Sequence, residues 1–361
     1  MRDLPVPDLL DARGAALPEV RRGREGAATG VQHEHRVKGV DFTPLGLAVG
    51  HATDESGGTG LTVVRHVTGA FRGAAVVVGR ATGTRELYVA SPDHVTDRVD
   101  AVLLSGGSAY GLDAAAGVMR WMEERGRGFP VGPGVVPLVP SAVVFDLTPF
   151  GRYDARPTPE MAWQACETAR SSEIGEGSVG AGTGATVGKV SGAERAMKGG
   201  VGCWLETVNK LSVGAIVVVN AFGDVRDAAG NIIAGTRAPD GTFVDSARLV
   251  AHAHGRQGFA PPPLQHTTIA VVATNGVMSR VELRQLASAA TAALYRRITP
   301  TGTTLDGDVI FALCPHEGPS FPTLQVEALA VRVLEMAIER AVRLARGRDG
   351  VPGLADGGEG L

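Results

Sequence analysis

Apolar residues occur along the chain in short runs that alternate with glycine-rich and polar turns. Two strand-length runs, 45–52 and 59–64, flank a turn-rich segment and predict a hairpin with a long loop. Two further runs, 74–79 and 101–104, are apolar at every position, which is typical of strands covered on both faces. The pattern therefore predicts a sheet that lies between other layers.

Helical spacing replaces strand spacing in four segments. Small and apolar residues recur from Ala109 to Glu124, and their small face predicts very close packing against a neighbouring element. A helix over 159–170 has proline in its first turn. Ser279 and Glu282 form a capping-box pattern before a helix that ends near residue 296. A long amphipathic helix is predicted over 323–346.

Further strands are predicted over 142–147, 202–206, 212–220, 268–274 and 310–313. The run Val217 to Val219 is apolar enough for the centre of a sheet. The 95 residues from Thr267 to the C-terminus are too few for a separate domain with its own site. We therefore expect the segments before and after Thr267 to share one core.

Composition narrows the function classes. The 361 residues are 44% hydrophobic and 20% charged with a formal net charge of −3, and no run of like charges predicts nucleic acid or an anionic membrane as partner. The three cysteines fit neither a disulfide framework nor a zinc site. No signal-peptide core and no stretch of about 20 apolar residues is present. We predict a soluble cytoplasmic protein without a zinc site.

Two segments, 1–38 and 236–266, are polar and rich in proline and are not predicted to belong to the packed core. Residues 1–38, rich in Arg, Glu, Gly and Pro, predict a poorly ordered arm before a single domain over 39–361. The polar, proline-rich region 236–266 predicts a processed or mobile connector. Its histidines, His252, His254 and His266, show no metal-ligand spacing and are interpreted as solvated.

Glycine is about twice as frequent as the usual share of roughly 7%, with 50 residues. The glycine loop 106–111 precedes a helix, as phosphate-binding loops do, but it lacks the lysine and Ser/Thr pair of a P-loop. A tight turn with close helix packing is the favoured interpretation.

Several polar residues stand at the ends of apolar runs. Lys189 follows a glycine-rich segment and is either a partner for a carboxylate or an exposed strand-edge charge. Asn220 ends an apolar strand, where its amide donates to an oxyanion or simply forms a turn. Asp306 and Asp308 alternate before a strand, so they form a carboxylate pair on one side or a polar turn.

Thr267 begins a β-branched run directly after the connector. An ordinary strand start is one interpretation, since threonine favours strands. If the chain were cut before Thr267, however, the residue would combine a nucleophilic hydroxyl with a basic α-amine.

These features occur together, in order, in one known family. The chain resembles the self-processing N-terminal-nucleophile hydrolases that include L-aminopeptidase/D-esterase enzymes, β-peptidyl aminopeptidases and nylon-oligomer endo-hydrolases. The resemblance covers roughly residues 40 to 345 and is carried by the segments 104–112, 188–190, 217–220, 266–269 and 306–312.

The resemblance implies a role for each candidate residue. Thr267 would be both the self-cleavage residue, cut from His266, and the nucleophile. Asn220 would donate to the oxyanion, and Lys189 would lie beside the nucleophile. Asp306 and Asp308 would orient and tune the freed amine.

The resemblance also implies an α+β fold, a four-layer αββα sandwich cut into an α-subunit (1–266) and a β-subunit (267–361). These heterodimers would assemble into a homotetramer or larger, without a cofactor. The substrate would be a short peptide, an amino-acid amide or a β- or ω-amino-acid oligomer. Two alternatives remain: an acyltransferase of the related ornithine-acetyltransferase fold, and a non-catalytic small-molecule binder on the same scaffold.

Two residues depart from the family pattern. Relatives commonly have Asn or Gly before the scissile bond, where this chain has His266. Relatives often have tyrosine where this chain has Phe145, so a phenolic donor is absent at that position.

Overall fold

The computed structural model of the protein describes residues 39–148, 150–252 and 266–357, so the predicted arm 1–38 lies outside the described residues. The helices α1 to α5 within them are Ala115–Glu123, Pro159–Thr168, Ser246–His252, Arg280–Arg297 and Thr323–Arg343. The strands β1 to β18 are, in chain order, Leu47–Asp54, Thr59–His66, Phe71–Val77, Thr84–Arg85, Arg98–Val99, Ala101–Ser105, Phe129–Val131, Gly134–Val136, Ser141–Val143, Thr186–Val187, Met197–Lys198, Gly200–Val208, Leu211–Asn220, Asp224–Arg226, Ile232–Ala234, Thr267–Thr274, Ile298–Thr299 and Val309–Cys314.

Two large sheets organise these strands. The first sheet has the order β1-β2-β6-β9-β4, and its β1–β2 hairpin is the one that the sequence predicts. The second sheet has the order β12-β13-β16-β18-β3-β5. In it β13 is flanked on both sides, which confirms the central position expected for the Val217 to Val219 run.

Three apolar cores separate four layers. Along β13, Val217 packs with α4 and α5, whereas Val218 packs into the core between the two sheets. The alternation is the period of two that a strand imposes on its side chains. On the outer face of the first sheet, Leu103 packs with Val118 and other residues of α1 and α2. The predicted αββα sandwich is therefore confirmed.

The chain on both sides of Thr267 contributes to the second sheet. Strand β16 pairs antiparallel with β13 and parallel with β18. A cut before β16 would consequently leave it held between β13 on one side and β18 on the other. The shared core expected for the two segments is confirmed.

Local signals in the sequence account for the start of α4 and for the close packing of α1. The Ser279 side chain accepts from the Glu282 backbone, and the reciprocal bond is also present, so the capping box before α4 is confirmed. Close packing of α1 is also confirmed, because a Cβ added at Gly117 would lie 1.7 Å from the Pro159 carbonyl oxygen of α2.

The observed bounds differ from the predicted ones at several elements, such as the strand predicted over 74–79, which spans Phe71–Val77. The helix expected from Ala109 begins as the 3₁₀ turn Ser108–Ala114, entered through a positive φ at Gly107, and becomes α-helical only at α1. The long helix expected to reach residue 346 ends at Arg343. The strand expected over 142–147 ends with β9 at Val143, because the chain beyond it turns to close a buried hydrogen-bond network described below. No helix in the described part of the chain is long and apolar enough to cross a membrane.

Candidate active site

The last residue of β13 and the first residue of β16 lie side by side. Asn220 and Thr267 are register partners, so their side chains project from the same face of the second sheet. Val218 and Ile269, each two residues along its strand from Asn220 or Thr267, lie on the same face and enter the core between the sheets. Both polar residues are buried, Thr267 with 5% of its surface exposed.

The peptide bond before Thr267 is held by two hydrogen bonds to its carbonyl oxygen. The Thr267 hydroxyl donates to the His266 oxygen at 2.5 Å, and the Gly307 backbone N–H donates to the same oxygen at 2.8 Å. Position 307 has no room for a side chain, because an added Cβ would lie 2.8 Å from Thr267 Oγ1 and 2.7 Å from the Ala81 carbonyl. The hydroxyl is thus confined next to the carbonyl of the preceding residue.

The Asn220 side chain has a defined orientation. Its Oδ1 accepts from Lys189 Nζ at 2.8 Å and from the Thr186 backbone at 3.0 Å. Since two donors identify that atom as the oxygen, the amide nitrogen points the other way, where it donates to the Phe145 carbonyl at 3.1 Å. Asn220 therefore directs a donor towards Phe145.

Lys189 is buried, so the exposed-edge interpretation is wrong. Its Nζ donates to the backbone oxygen of Asn220 at 3.0 Å as well as to the side chain. Burial lowers the pKa of Lys189 to about 7, against the opposing effect of the Asp306 carboxylate. Burial therefore weakens the preference of this amine for its charged form.

The two carboxylates after β17 accept hydrogen bonds from different neighbours. Asp308 accepts from the Thr268 backbone at 2.6 Å and from the Thr301 hydroxyl at 3.0 Å. Asp306 accepts from the Thr303 backbone at 2.9 Å and its hydroxyl at 2.7 Å. Burial raises the pKa of both groups, and the charge of Asp306 further raises that of Asp308, to about 7.

Within the described residues, no hydrogen bond joins either carboxylate to Thr267. In the unprocessed chain the Thr267 nitrogen is an amide without basicity. The expected role of Asp306 and Asp308 in tuning a free amine stays a prediction. Asp308 accepts a hydrogen bond from the backbone N–H of Thr268, the residue after Thr267.

His266 is not solvated as the sequence suggests. It is 3% exposed, and its ring packs on Phe222 with 4.7 Å between centroids. Burial, together with the nearby Lys189 charge, lowers the pKa of His266 to about 2, so the imidazole is neutral. Neither ring nitrogen has a hydrogen-bond partner among the described residues. Of the other connector histidines, His252 is exposed as expected, and His254 lies outside the described residues.

A cavity of about 180 Å³ opens at the Thr267 end of the inter-sheet layer. The half-buried Phe145 side chain, at the position where relatives often have tyrosine, forms part of its wall. The other lining residues are Ala81, Thr82, Gly83, Ser108, Ala109, Val143, His266, Thr267 and Leu305. The glycine loop therefore serves as a tight turn that places Ser108 and Ala109 against the cavity.

Sequence reasoning missed three residues beside the site. Phe222, Asp146 and Lys198 are all at most 3% exposed. The signal for the two ionisable residues was only a lone charge in an apolar or glycine-rich segment. The described residues contain no group of His, Cys, Asp and Glu side chains arranged to hold a metal ion.

Solved structures share this architecture. The L-aminopeptidase D-Ala-esterase/amidase of Ochrobactrum anthropi, described as a variant of the Ntn hydrolase fold, matches with a TM-score of 0.61 at 19% identity, over 90% of this chain and 91% of that one. A β-aminopeptidase of a Burkholderia species matches with a TM-score of 0.62 at 17% identity, over 86% and 88% of the two chains. The fold is that of the N-terminal-nucleophile hydrolases.

Sequence comparison then identifies the family. A protein named as an uncharacterized aminopeptidase of Mycobacterium leprae is 42% identical over 284 residues, 74% of this chain and 76% of the relative. A 6-aminohexanoate-oligomer endohydrolase of Kocuria sp. is 34% identical over 296 residues, 79% of each chain. The model of peptidase family S58 matches residues 44–353, so the chain belongs to that family and is a hydrolase of amide bonds.

Proposed function

We propose that the protein is a precursor that cuts itself between His266 and Thr267 and then hydrolyses amides with Thr267 as an N-terminal nucleophile. One observation carries this proposal. The Thr267 hydroxyl lies within hydrogen-bond distance of the carbonyl it would attack, and Gly307 N–H donates to that carbonyl oxygen from another direction.

Self-cleavage begins with attack of Thr267 Oγ on the His266 carbonyl carbon. Negative charge then develops on the carbonyl oxygen, where the Gly307 N–H supports it without reorganisation. The C–N bond breaks as the nitrogen takes up the proton that the hydroxyl gave up, leaving an ester between His266 and the Thr267 oxygen. Water hydrolyses this ester to a His266 carboxylate, a free hydroxyl and a free α-amine.

The new amine changes the chemistry of the site. It accepts the proton of the neighbouring hydroxyl, so nucleophile and base belong to one residue. The substrate carbonyl acylates Thr267, its leaving amine departs with a proton, and water releases the acid. Asn220 supports this oxyanion when its Nδ2 donates to the substrate oxygen in place of the Phe145 carbonyl. Lys189 and Thr186 bind Asn220 Oδ1, so the amide cannot present its oxygen to the oxyanion instead.

The substrates that this proposal favours are short peptides, amino-acid amides and β- or ω-amino-acid oligomers. The names of the relatives supply these classes, since they include aminopeptidases and 6-aminohexanoate-oligomer endohydrolases. The cavity of about 180 Å³ is smaller than the 300–1,000 Å³ of a typical ligand pocket. It therefore suits a compact acyl group, with the rest of the substrate outside.

The two fragments are expected to stay associated, because β16 from one pairs with β13 from the other over eight residue pairs. We further propose that the heterodimers assemble into a homotetramer or larger, in the cytoplasm. Light scattering on the purified protein would measure the assembly, and a mass equal to one chain would exclude it.

Substrate assays test the catalytic half of the proposal. Wild-type protein and the Thr267→Ala and Thr267→Ser variants are compared on amino-acid anilides, short peptides and 6-aminohexanoate oligomers. Hydrolysis is expected for wild type and for Thr267→Ser, which keeps a hydroxyl and an amine, and not for Thr267→Ala. Undiminished hydrolysis by Thr267→Ala would refute Thr267 as nucleophile.

A further inference from the structure

A buried carboxylate lies directly behind the cavity wall. Asp146 is 3% exposed. Its Oδ1 accepts from the Gly107 backbone N–H at 2.7 Å, and its Oδ2 accepts from the Thr59 hydroxyl at 2.7 Å. The carboxylate thus ties together three segments that are distant in sequence.

Two of these segments form the cavity wall. Gly107 begins the 3₁₀ turn, so the carboxylate sets the position of Ser108 and Ala109. Phe145 precedes Asp146, lines the same cavity and supplies the carbonyl that receives Asn220 Nδ2. A shift of Asp146 would therefore move two parts of the wall at once.

Lys198 holds a further segment, the glycine-rich loop 182–185. It is 2% exposed, and its Nζ donates to the carbonyls of Thr183 at 2.7 Å and Ala185 at 2.8 Å. The next residue, Thr186, donates its N–H to Asn220 Oδ1 at 3.0 Å. Lys198 is therefore connected to the predicted oxyanion donor through one short loop.

The same loop also contacts Asp146. A Cβ added at Gly184 would lie 2.5 Å from the Asp146 Cβ, so the loop packs directly on the carboxylate residue. Burial raises the pKa of Asp146 to about 6 and lowers that of Lys198 to about 7, and each charge partly offsets the shift of the other. Burying two ionisable groups disfavours folding, whereas an apolar pair of similar volume often would not.

We propose that Asp146 and Lys198 are positioning residues for the amidase site, which clamp the 107–109 turn, Phe145 and the 182–185 loop around the acyl cavity and Asn220. The role rests on the proposed function, because it concerns turnover at Thr267. Neither residue touches the reacting atoms. Both act by holding the groups that do.

The test compares Asp146→Ala, Asp146→Asn and Lys198→Met with wild type. Only processed molecules are counted, by the yield of the Thr267 N-terminus in sequencing, and kcat and KM are measured separately on one amide. Asp146→Ala is expected to lower kcat at least 10-fold, since small displacements of positioned groups are costly. Asp146→Asn is expected to recover most of that loss, because its amide oxygen still accepts from Gly107.

Asp100→Ala is the matched control. Asp100 is also buried and accepts a backbone N–H, that of Leu138 at 2.9 Å, but it precedes the opposite end of β6 from Ser105. The kcat of Asp100→Ala per processed molecule should stay within about threefold of wild type, even if its free energy of unfolding falls as much as that of Asp146→Ala.

Lys198→Met removes only the hydrogen bonds to the 182–185 loop, and Asp146 still holds the 107–109 turn. This variant should also lower kcat. If Asp146→Ala does not fold, this variant and Asp146→Asn decide the question. The positioning role is overturned if folded variants at both positions retain wild-type kcat, or if Asp146→Ala, Asp146→Asn and Asp100→Ala lose it equally. A wild-type chain that neither cuts nor hydrolyses amides instead refutes the proposed function.

Discussion

Gly307→Ala is the variant for which the structure predicts the most specific effect on self-cleavage. Alanine keeps the backbone N–H that donates to the His266 carbonyl, so the variant retains this donor. The added methyl group, however, would lie 2.8 Å from Thr267 Oγ1 and 2.7 Å from the Ala81 carbonyl oxygen. The substitution therefore perturbs the position of the nucleophile while the oxyanion donor is still present.

The size of the effect follows from the distances. Ordinary contact begins near 3.4 Å, so the hydroxyl must move by about 0.6 Å or the backbone must shift by a similar amount. A displacement of about 1 Å at a reacting group costs on the order of 10²-fold in rate. We expect self-cleavage to slow between about 10-fold and 10²-fold, equivalent to about 1.4 to 2.7 kcal/mol of barrier. Overpacking adds about 1–3 kcal/mol of destabilisation.

The assay is a pulse of cell-free synthesis followed by a time course on denaturing gels, which gives the half-time of precursor loss. Gly134→Ala is the control, since an added Cβ there meets nothing within 4 Å. The control should process at the wild-type rate. A Gly307→Ala chain that is folded and is processed as fast as wild type would contradict the placement of the hydroxyl.

Three further variants test other parts of the site. Asn220→Ala removes the proposed oxyanion donor and should lower kcat by about 10²-fold or more with little change in KM, measured on a single amide substrate. Lys189→Met removes a donor to Asn220 Oδ1, and we expect a loss of about 10-fold in kcat, which a normal kcat at full processing would contradict. Asp146→Asn removes a group that titrates. Because burial raises the pKa of Asp146 from 3.8 to about 6, the free energy of unfolding of the wild type falls as pH rises from about 3.8 to above 6. The variant should therefore gain roughly 1 kcal/mol relative to wild type between pH 5 and pH 8 in denaturant unfolding, and parallel profiles would contradict the raised pKa.

Local sequence patterns predict the parts of the fold that local physics determines. The β-branched runs ending at Asn220 and starting at Thr267 are strands, each beginning one residue earlier than predicted, and the capping box of Ser279 begins α4. These two runs are fully buried and pair in one sheet. Their register places Asn220 beside Thr267, which neither run encodes by itself.

Long-range contacts account for what the patterns did not predict. Asp146 binds Gly107 and Thr59, which are 39 and 87 residues away, and these bonds end the strand that the apolar run 142–147 suggested. His266 looked solvated beside polar and proline residues, yet its ring packs against Phe222. No spacing rule within the connector encodes either contact.

The central claim is that the chain cuts itself before Thr267. Intact mass and N-terminal sequencing of purified wild-type protein and of Thr267→Ala test it most directly. The account predicts that wild type separates into 1–266 and 267–361, with a new N-terminus reading Thr-Thr-Ile-Ala, while Thr267→Ala keeps the full 37.2 kDa chain. A wild-type chain that stays at 37.2 kDa, or a Thr267→Ala chain cut at the same bond, would contradict it.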